Sequence, residues 1–125
     1  MKKVVCALTL IAALTFGGTC AAQDIWVDYW ESENVDVYMM DETLKGTVSD
    51  TACRFIYVST KMVENGRLKK IVKWTFDRFR TDMWRYETDE MDGRHTTVVI
   101  PRNKLFEACM NKLGWQYKIV DMWYY

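Results

Sequence analysis

Residues 53–79 read CRFIYVSTKMVENGRLKKIVKWTFDRF, and this stretch decides the fold. The dipeptide Asn65-Gly66 lies between two runs rich in β-branched and aromatic residues, a pattern typical of a β-hairpin with a two-residue turn. A turn of that length fixes which residues oppose each other: Val63 and Leu68, Tyr57 and Trp74, Phe55 and Phe76. Because side chains alternate across a strand, we expect these residues and Cys53 to share the core face of an antiparallel sheet.

The predicted register contains one misfit. It places Lys61 opposite Lys70 on the same face as the aromatic pairs. Two opposed lysines repel each other and are costly to bury. Either that face leaves the core near the turn, or the register is different.

The remaining strand signals are shorter. They cover Ile25–Trp30, Val35–Met40, Met83–Ile100 and the tail Trp115–Tyr125. The third of these segments turns at Asp92-Gly93, which places Trp84 and Val99 on one face and sets Glu87 opposite Val98. The segment Asp41–Thr51 lacks a strand pattern and predicts a loop.

One helix follows the strand region. Pro101 or Asn103 is suited to its start, and Gly114 to its end. Helical spacing joins four apolar residues into one stripe: Leu105, Phe106, Cys109 and Leu113. The sequence therefore predicts an α+β fold, with an antiparallel sheet of about five to seven strands packed against one C-terminal helix.

The first residues have the layout of a secretory signal peptide. The positive pair Lys2-Lys3 precedes the uncharged, mostly apolar stretch Val4–Phe16, which is too short to span a bilayer. Small residues then lead to Ala22, where cleavage fits a small-x-small rule. We expect removal of residues 1–22, and export of residues 23–125 as a single domain in the periplasm or at the cell surface.

The expected cleavage decides which cysteines remain in the exported protein. Cys6 and Cys20 leave with the signal peptide, and the residues before Cys20 lack the aliphatic position of a lipobox, so lipid anchoring there is not expected. Cys53 and Cys109 remain, and an even pair in an exported chain predicts a disulfide. Such a bond would tie the helix to the sheet and contribute about 4 kcal/mol. The alternative is two free buried thiols.

Charge and motifs exclude several classes of function. The chain has 17 Lys+Arg and 17 Asp+Glu, a balance that argues against a nucleic-acid binder. Its one histidine is His95, and we find no nucleophile motif, phosphate loop or calcium-loop spacing. We therefore predict no enzyme activity, no metal and no cofactor.

Two groups of residues are candidates for partner contacts. The basic stretch of Arg67, Lys69, Lys70 and Lys73 suits an anionic partner such as a sulfated glycan, lipopolysaccharide or an acidic protein. Alternatively, these lysines protect a solvated edge strand from aggregation. The aromatic residues least secure in the core are Trp26, Trp30, Trp123, Tyr124 and Tyr125.

The order of features resembles the bacterial surface-adhesin protein E family. The matching residues are Trp26, Tyr38–Leu44, Phe55–Lys61 and Val99–Cys109, where an Ile-Pro segment leads into a helix carrying the second cysteine. The resemblance implies a small exported domain with an antiparallel sheet and a disulfide-bound C-terminal helix. Some members of that family bind host matrix proteins, and none supplies a catalytic motif to carry over.

These observations favour an exported, non-enzymatic interaction module, adhesin-like, that binds a protein or a cell-surface glycan. Two alternatives remain. A periplasmic inhibitor of a hydrolase such as lysozyme would present an acidic loop, for which Glu31–Asn34 or Asp41–Asp50 is suited. A carbohydrate-binding module would present coplanar exposed aromatic rings.

Overall fold

The structure is a computed structural model and describes residues 24–91 and 97–125. Its strands are β1 (Asp24–Trp30), β2 (Val35–Val48), β3 (Arg54–Glu64), β4 (Arg67–Arg78), β5 (Arg85–Thr88), β6 (Thr97–Val98), β7 (Ile119–Val120) and β8 (Trp123–Tyr124). The helix α1 covers Lys104–Leu113. The predicted signal peptide with Cys20, the turn Asp92-Gly93 and His95 lie outside the described residues.

The first six strands form one antiparallel sheet, in which each strand pairs with its neighbour in sequence. β7 and β8 pair only with each other in a separate hairpin. The helix α1 packs on one side of the sheet, which we call the inner face, and its buried residues share an apolar core with β2, β3 and β4. The opposite side is the outer face. The predicted antiparallel sheet with one C-terminal helix packed on it is confirmed.

The β3–β4 hairpin contains a β-bulge that the turn pattern did not reveal. Next to the turn, Val63 pairs with Leu68 as predicted. The register then shifts, because Met62 pairs with Lys70 and leaves Lys69 as an extra residue. Side chains alternate along a strand, so a shift of one residue changes which side chains share a face. Beyond the bulge, the β3 side chains predicted to share a face with Trp74 and Phe76 lie on the opposite face from them.

The prediction of the core face was therefore only half right. The buried apolar residues of this hairpin on the inner face are Ile56, Val58, Met62, Val72, Trp74 and Phe76. Trp74 and Phe76 belong to the core as predicted. Tyr57 and Phe55 lie on the outer face, and Cys53, just before β3, lies beside Phe55.

The predicted loop Asp41–Thr51 is a strand as far as Val48, which corrects the prediction. Gly46 lies under the segment that follows α1. A Cβ atom at this position would be 2.8 Å from the Trp115 ring and 2.9 Å from the Leu113 side chain. Close packing, and not a turn, explains the glycine.

The helix begins and ends as its capping residues predict. The Asn103 side chain accepts a hydrogen bond from the Phe106 N–H at 2.8 Å, which satisfies a donor of the first turn. Gly114 follows the last turn with a φ of 72°, the left-handed conformation that favours glycine. The buried side chains of the helix are Leu105, Phe106, Cys109 and Met110.

The β5–β6 pairing keeps the predicted faces and changes the register. Arg85, and not Glu87, pairs with Val98. The Val99 N–H donates to the Trp84 carbonyl at 3.1 Å, and both residues are buried. The difference is two residues, and an even shift leaves each side chain on its own face.

Candidate interaction surface

The two cysteines are not bonded to each other, which corrects the predicted disulfide. Cys109 lies in the core, where its Sγ is 3.7 Å from the Sδ of Met39 and burial raises the pKa of the thiol to about 12. Cys53 lies on the outer side of the sheet, where the hydroxyl of Thr51 lowers its pKa. The cause of the wrong prediction is the bulge, which turns the residues at the start of β3 away from the helix.

The predicted aromatic contacts serve mainly as packing. Tyr124 is fully buried, and Trp26, Trp30, Trp123 and Tyr125 are half-buried. The Tyr124 ring packs on Phe106 with centroids 4.5 Å apart, and its hydroxyl donates to the Glu107 carboxylate. Trp30 packs edge-on against Trp74 at 6.1 Å. Tyr124 is therefore unavailable to a partner, which corrects that part of the prediction.

The acidic residues of the first strands pair with lysines that come later in the chain. The pairs are Asp24 with Lys61 at 2.6 Å, Asp28 with Lys104 at 3.8 Å, and Asp41 with Lys112 at 3.6 Å. Such pairs contribute little stability individually, but they neutralise these three carboxylates within the fold. No group of three acidic, histidine or cysteine side chains converges in the ranges 24–91 and 97–125.

Of the four cations in the predicted basic stretch, one is neutralised by an ion pair and three are exposed. Lys70 forms an ion pair with Glu90 at 2.9 Å, and this carboxylate raises the pKa of Lys70. The exposed cations are Arg67, Lys69 and Lys73. Lys69 has one distant partner, the carboxylate of Glu64 at 4.0 Å. The surface at the end of the hairpin therefore keeps a positive character.

Large apolar side chains are exposed on the outer face of the same hairpin. Their exposed fractions are 55% for Leu68, 45% for Ile71 and 42% for Tyr57. The Phe55 ring lies parallel to the Tyr57 ring, with an interplanar angle of 10° and centroids 6.4 Å apart. We call Tyr57, Leu68 and Ile71, together with Lys69, Lys73 and the neighbouring Arg67 at the hairpin end, the outer-face patch.

The hairpin end adds a concave surface to this patch. An open cavity of about 450 Å³ is lined by Glu64, Asn65, Arg67, Leu68 and Lys69. The sequence placed Tyr57 and Leu68 in the core, and it gave no role to Ile71. An apolar side chain on a strand is assigned to the core by default, so only the correct register reveals this surface.

No helix in the described part of the chain is long and apolar enough to cross a membrane. Comparisons of the sequence and fold with family models, curated proteins and solved structures find no match. The resemblance to the protein E family therefore stays a prediction, and the function has to be argued from the surface itself.

Proposed function

We propose that this protein is an exported, non-enzymatic interaction module that binds an anionic protein or cell-surface glycan through the outer-face patch. The observation that carries the proposal is the exposure of Leu68, Ile71 and Tyr57 on one face of the β3–β4 hairpin, next to exposed cations. Leu68 and Ile71 lie in successive pairs on this face, opposite Val63 and Lys61, and Tyr57 lies beyond the Ser59–Lys73 pair. Exposed apolar side chains grouped on one face of a small domain are typical of a binding site.

The composition of the patch is that of an interface. Binding surfaces combine an apolar centre with a polar rim, and aromatic residues supply much of the energy. Leu68 and Ile71 belong neither to the inner-face core nor to the small buried cluster of Tyr38 and Val63 on the outer face, because both side chains are about half exposed. Burying one such side chain against a partner would contribute about 1–2 kcal/mol.

Protection of an edge strand explains only part of this surface. β4 lies between β3 and β5, but it pairs with β5 only from Trp74 to Asp77, so its first part extends beyond β5. Lysines and the bulge at Lys69 discourage edge-to-edge pairing there. Exposed Leu68 and Ile71 would have the opposite effect, because apolar surface promotes association. Binding accounts for the cations and the apolar residues together.

The two alternative functions receive less support. A carbohydrate-binding module is favoured by the parallel Phe55 and Tyr57 rings, since aromatic rings stack on sugars. A hydrolase inhibitor would depend on an acidic loop. Of its two predicted loops, Asp41–Asp50 is mostly strand, and the turn between β1 and β2 is short, with Glu31 and Glu33 exposed.

A capture experiment tests the proposal. The protein, purified after export from cells that express the full chain, is immobilised and exposed to envelope extract and to host matrix proteins, at low and high salt. We expect capture of a protein or glycan that weakens at high salt, because the rim cations contribute electrostatically. Replacement of Arg67, Lys69 and Lys73 by Gln should remove that salt dependence.

A matched variant controls for loss of positive charge in general. Arg102 and Lys104 are exposed cations before and at the start of α1, and their replacement by Gln should leave capture unchanged. Equal loss in both variants, or no capture by the wild-type protein, would contradict the proposal.

A further inference from the structure

A cleft at one end of the sheet brings two arginines together. Arg54 begins β3, Arg78 ends β4, and the two residues are direct cross-strand partners. Both line a cavity of about 300 Å³ on the inner side, next to the segment that follows α1. The other residues that line it are Trp84, Gly114, Trp115 and Gln116.

The pairing of two cations is unfavourable in the absence of a ligand. Like charges that oppose each other across two strands destabilise a sheet. No acidic residue lines the cavity, and within the described residues no carboxylate lies within 4.0 Å of the guanidinium of Arg54 or Arg78. Lys61 and Lys112, by contrast, each lie beside a carboxylate. The opposed arginines therefore give the cleft a positive charge.

Each guanidinium is positioned by one contact and keeps unused donors. The Cζ of Arg54 lies 5.3 Å from the centroid of the Trp115 ring, a cation–π contact that occupies the face of the group and none of its N–H bonds. The Nε of Arg78 donates to the carbonyl oxygen of Asp82 at 3.0 Å. Since a guanidinium has five N–H donors, both arginines retain hydrogen-bonding capacity for a ligand.

We infer that Arg54 and Arg78 bind the oxyanion of a small ligand, a carboxylate, phosphate or sulfate group, in this cleft. Planar guanidinium groups bind such oxyanions through paired hydrogen bonds, and an anion between them would remove their repulsion. A cavity of about 300 Å³ is at the lower end of small-molecule sites and has room for a body the size of a monosaccharide. This site is on the inner side and is distinct from the outer-face patch.

A titration followed by nuclear magnetic resonance tests the inference. Isotope-labelled protein, purified after export from cells that express the full chain, is titrated separately with inorganic phosphate, sulfate and glucuronate at constant ionic strength. We expect saturable shifts of the Gly114 amide, the Trp115 indole N–H and the Arg78 Nε–H with at least one probe. A response to glucuronate alone would identify a carboxylate on a sugar, and a response to the inorganic ions a free phosphate or sulfate group.

Variants of one arginine decide whether the cleft is the site. Arg78→Gln should weaken binding at least tenfold, and Arg78→Lys, which keeps the charge but loses the planar fork, should weaken it less. The control is the double variant Arg102→Gln, Lys104→Gln before and at the start of α1, which should titrate like the wild-type protein. The inference is overturned if no probe gives saturable shifts in the cleft, or if both Arg78 variants bind as tightly as the wild type. If the capture experiment fails but the titration still shows saturable binding in the cleft, only the proposed function is contradicted.

Discussion

The inner and outer faces of the β3–β4 hairpin use the same strands for different purposes. On the inner face, Ile56 and Phe76 are fully buried under α1, and every large side chain has apolar neighbours. On the outer face, Tyr57 and Ile71 are exposed, and polar or charged residues oppose them. Packing explains the residues of the inner face and the small buried cluster of Tyr38 and Val63 on the outer face, and it leaves the exposed Tyr57, Leu68 and Ile71 unexplained. Exposed apolar residues that packing does not explain are candidates for contact with a partner.

The largest expected effect is a difference in the free energy of unfolding between a substitution in the core and one on the outer face. Phe106 is fully buried and packs on Phe76, Trp84 and Tyr124, with ring centroids 4.5–5.5 Å apart. We expect Phe106→Ala to lower the free energy of unfolding by about 3–5 kcal/mol, measured by urea denaturation. Ile71→Ala on the outer face should change it by about 0.5 kcal/mol or less. A similar loss in both variants would show that the outer face is also core.

The second prediction uses the pH dependence of a buried group. Burial raises the pKa of Cys109 to about 12, from 9.0 in an exposed thiol. A thiol with a raised pKa stabilises the fold only while protonated, so stability should fall as pH rises from about 9 to about 12. We expect a loss of about 3 kcal/mol at pH 11 from this group.

The Cys109→Ala variant isolates this contribution from other groups that ionise at alkaline pH. The slope of unfolding free energy against pH should be smaller in the variant than in the wild-type protein. Identical slopes would show that the pKa of Cys109 is not raised by burial in the folded protein.

A smaller effect tests the close contact beneath the segment after α1. Gly46→Ala would place a Cβ atom 2.8 Å from the Trp115 ring, which also stacks on Arg54. Overpacking of this kind costs about 1–3 kcal/mol, so we expect a lower melting temperature by differential scanning calorimetry. Gly66→Ala is the comparison, because no atom lies within 4 Å of the place its Cβ would take, and its cost comes from the φ of 79° alone.

The smallest expected effect concerns the cysteines. Because Cys53 and Cys109 lie on opposite sides of the sheet and are not bonded, a reducing agent should leave the melting temperature unchanged. Loss of a native disulfide typically costs about 2–5 kcal/mol, which would lower the melting temperature by many degrees. A decrease in melting temperature of that size would show that the predicted disulfide exists. The start of β3 would then have to be arranged differently.

Local signals predicted the parts of the fold that depend on local contacts. Asn65-Gly66 does form the hairpin turn, and both strands follow it. Asn103 and Gly114 do cap the helix, because capping depends on the neighbouring backbone alone. The order and the antiparallel pairing of the strands follow from such short connections.

The bulge at Lys69 could not be derived from the same signals. It depends on which face of β3 fits under α1, a contact between residues distant in sequence. The opposed pair Lys61 and Lys70 in the predicted register was the available indication, since the observed pairing places Ile71 opposite Lys61. The error then affected Tyr57 and Cys53, and with them the outer-face patch and the disulfide.

The charged cleft was missed for the same reason. In the predicted register Arg54 opposes Asp77, an ordinary ion pair across two strands. The bulge places Arg78 opposite Arg54 instead. A slip of one residue thus converts a neutral pair into a pair of cations, and only the observed register reveals the site.

One measurement tests the central claim, that the outer face of the β3–β4 hairpin is the binding surface. Ile71→Glu is compared with Met122→Glu, a matched change at another exposed apolar residue, in the β7–β8 hairpin. Both variants should unfold at the wild-type denaturant concentration, and we predict that only Ile71→Glu abolishes capture of the partner. Retention of full capture by Ile71→Glu, or an equal loss in both variants, would contradict the account.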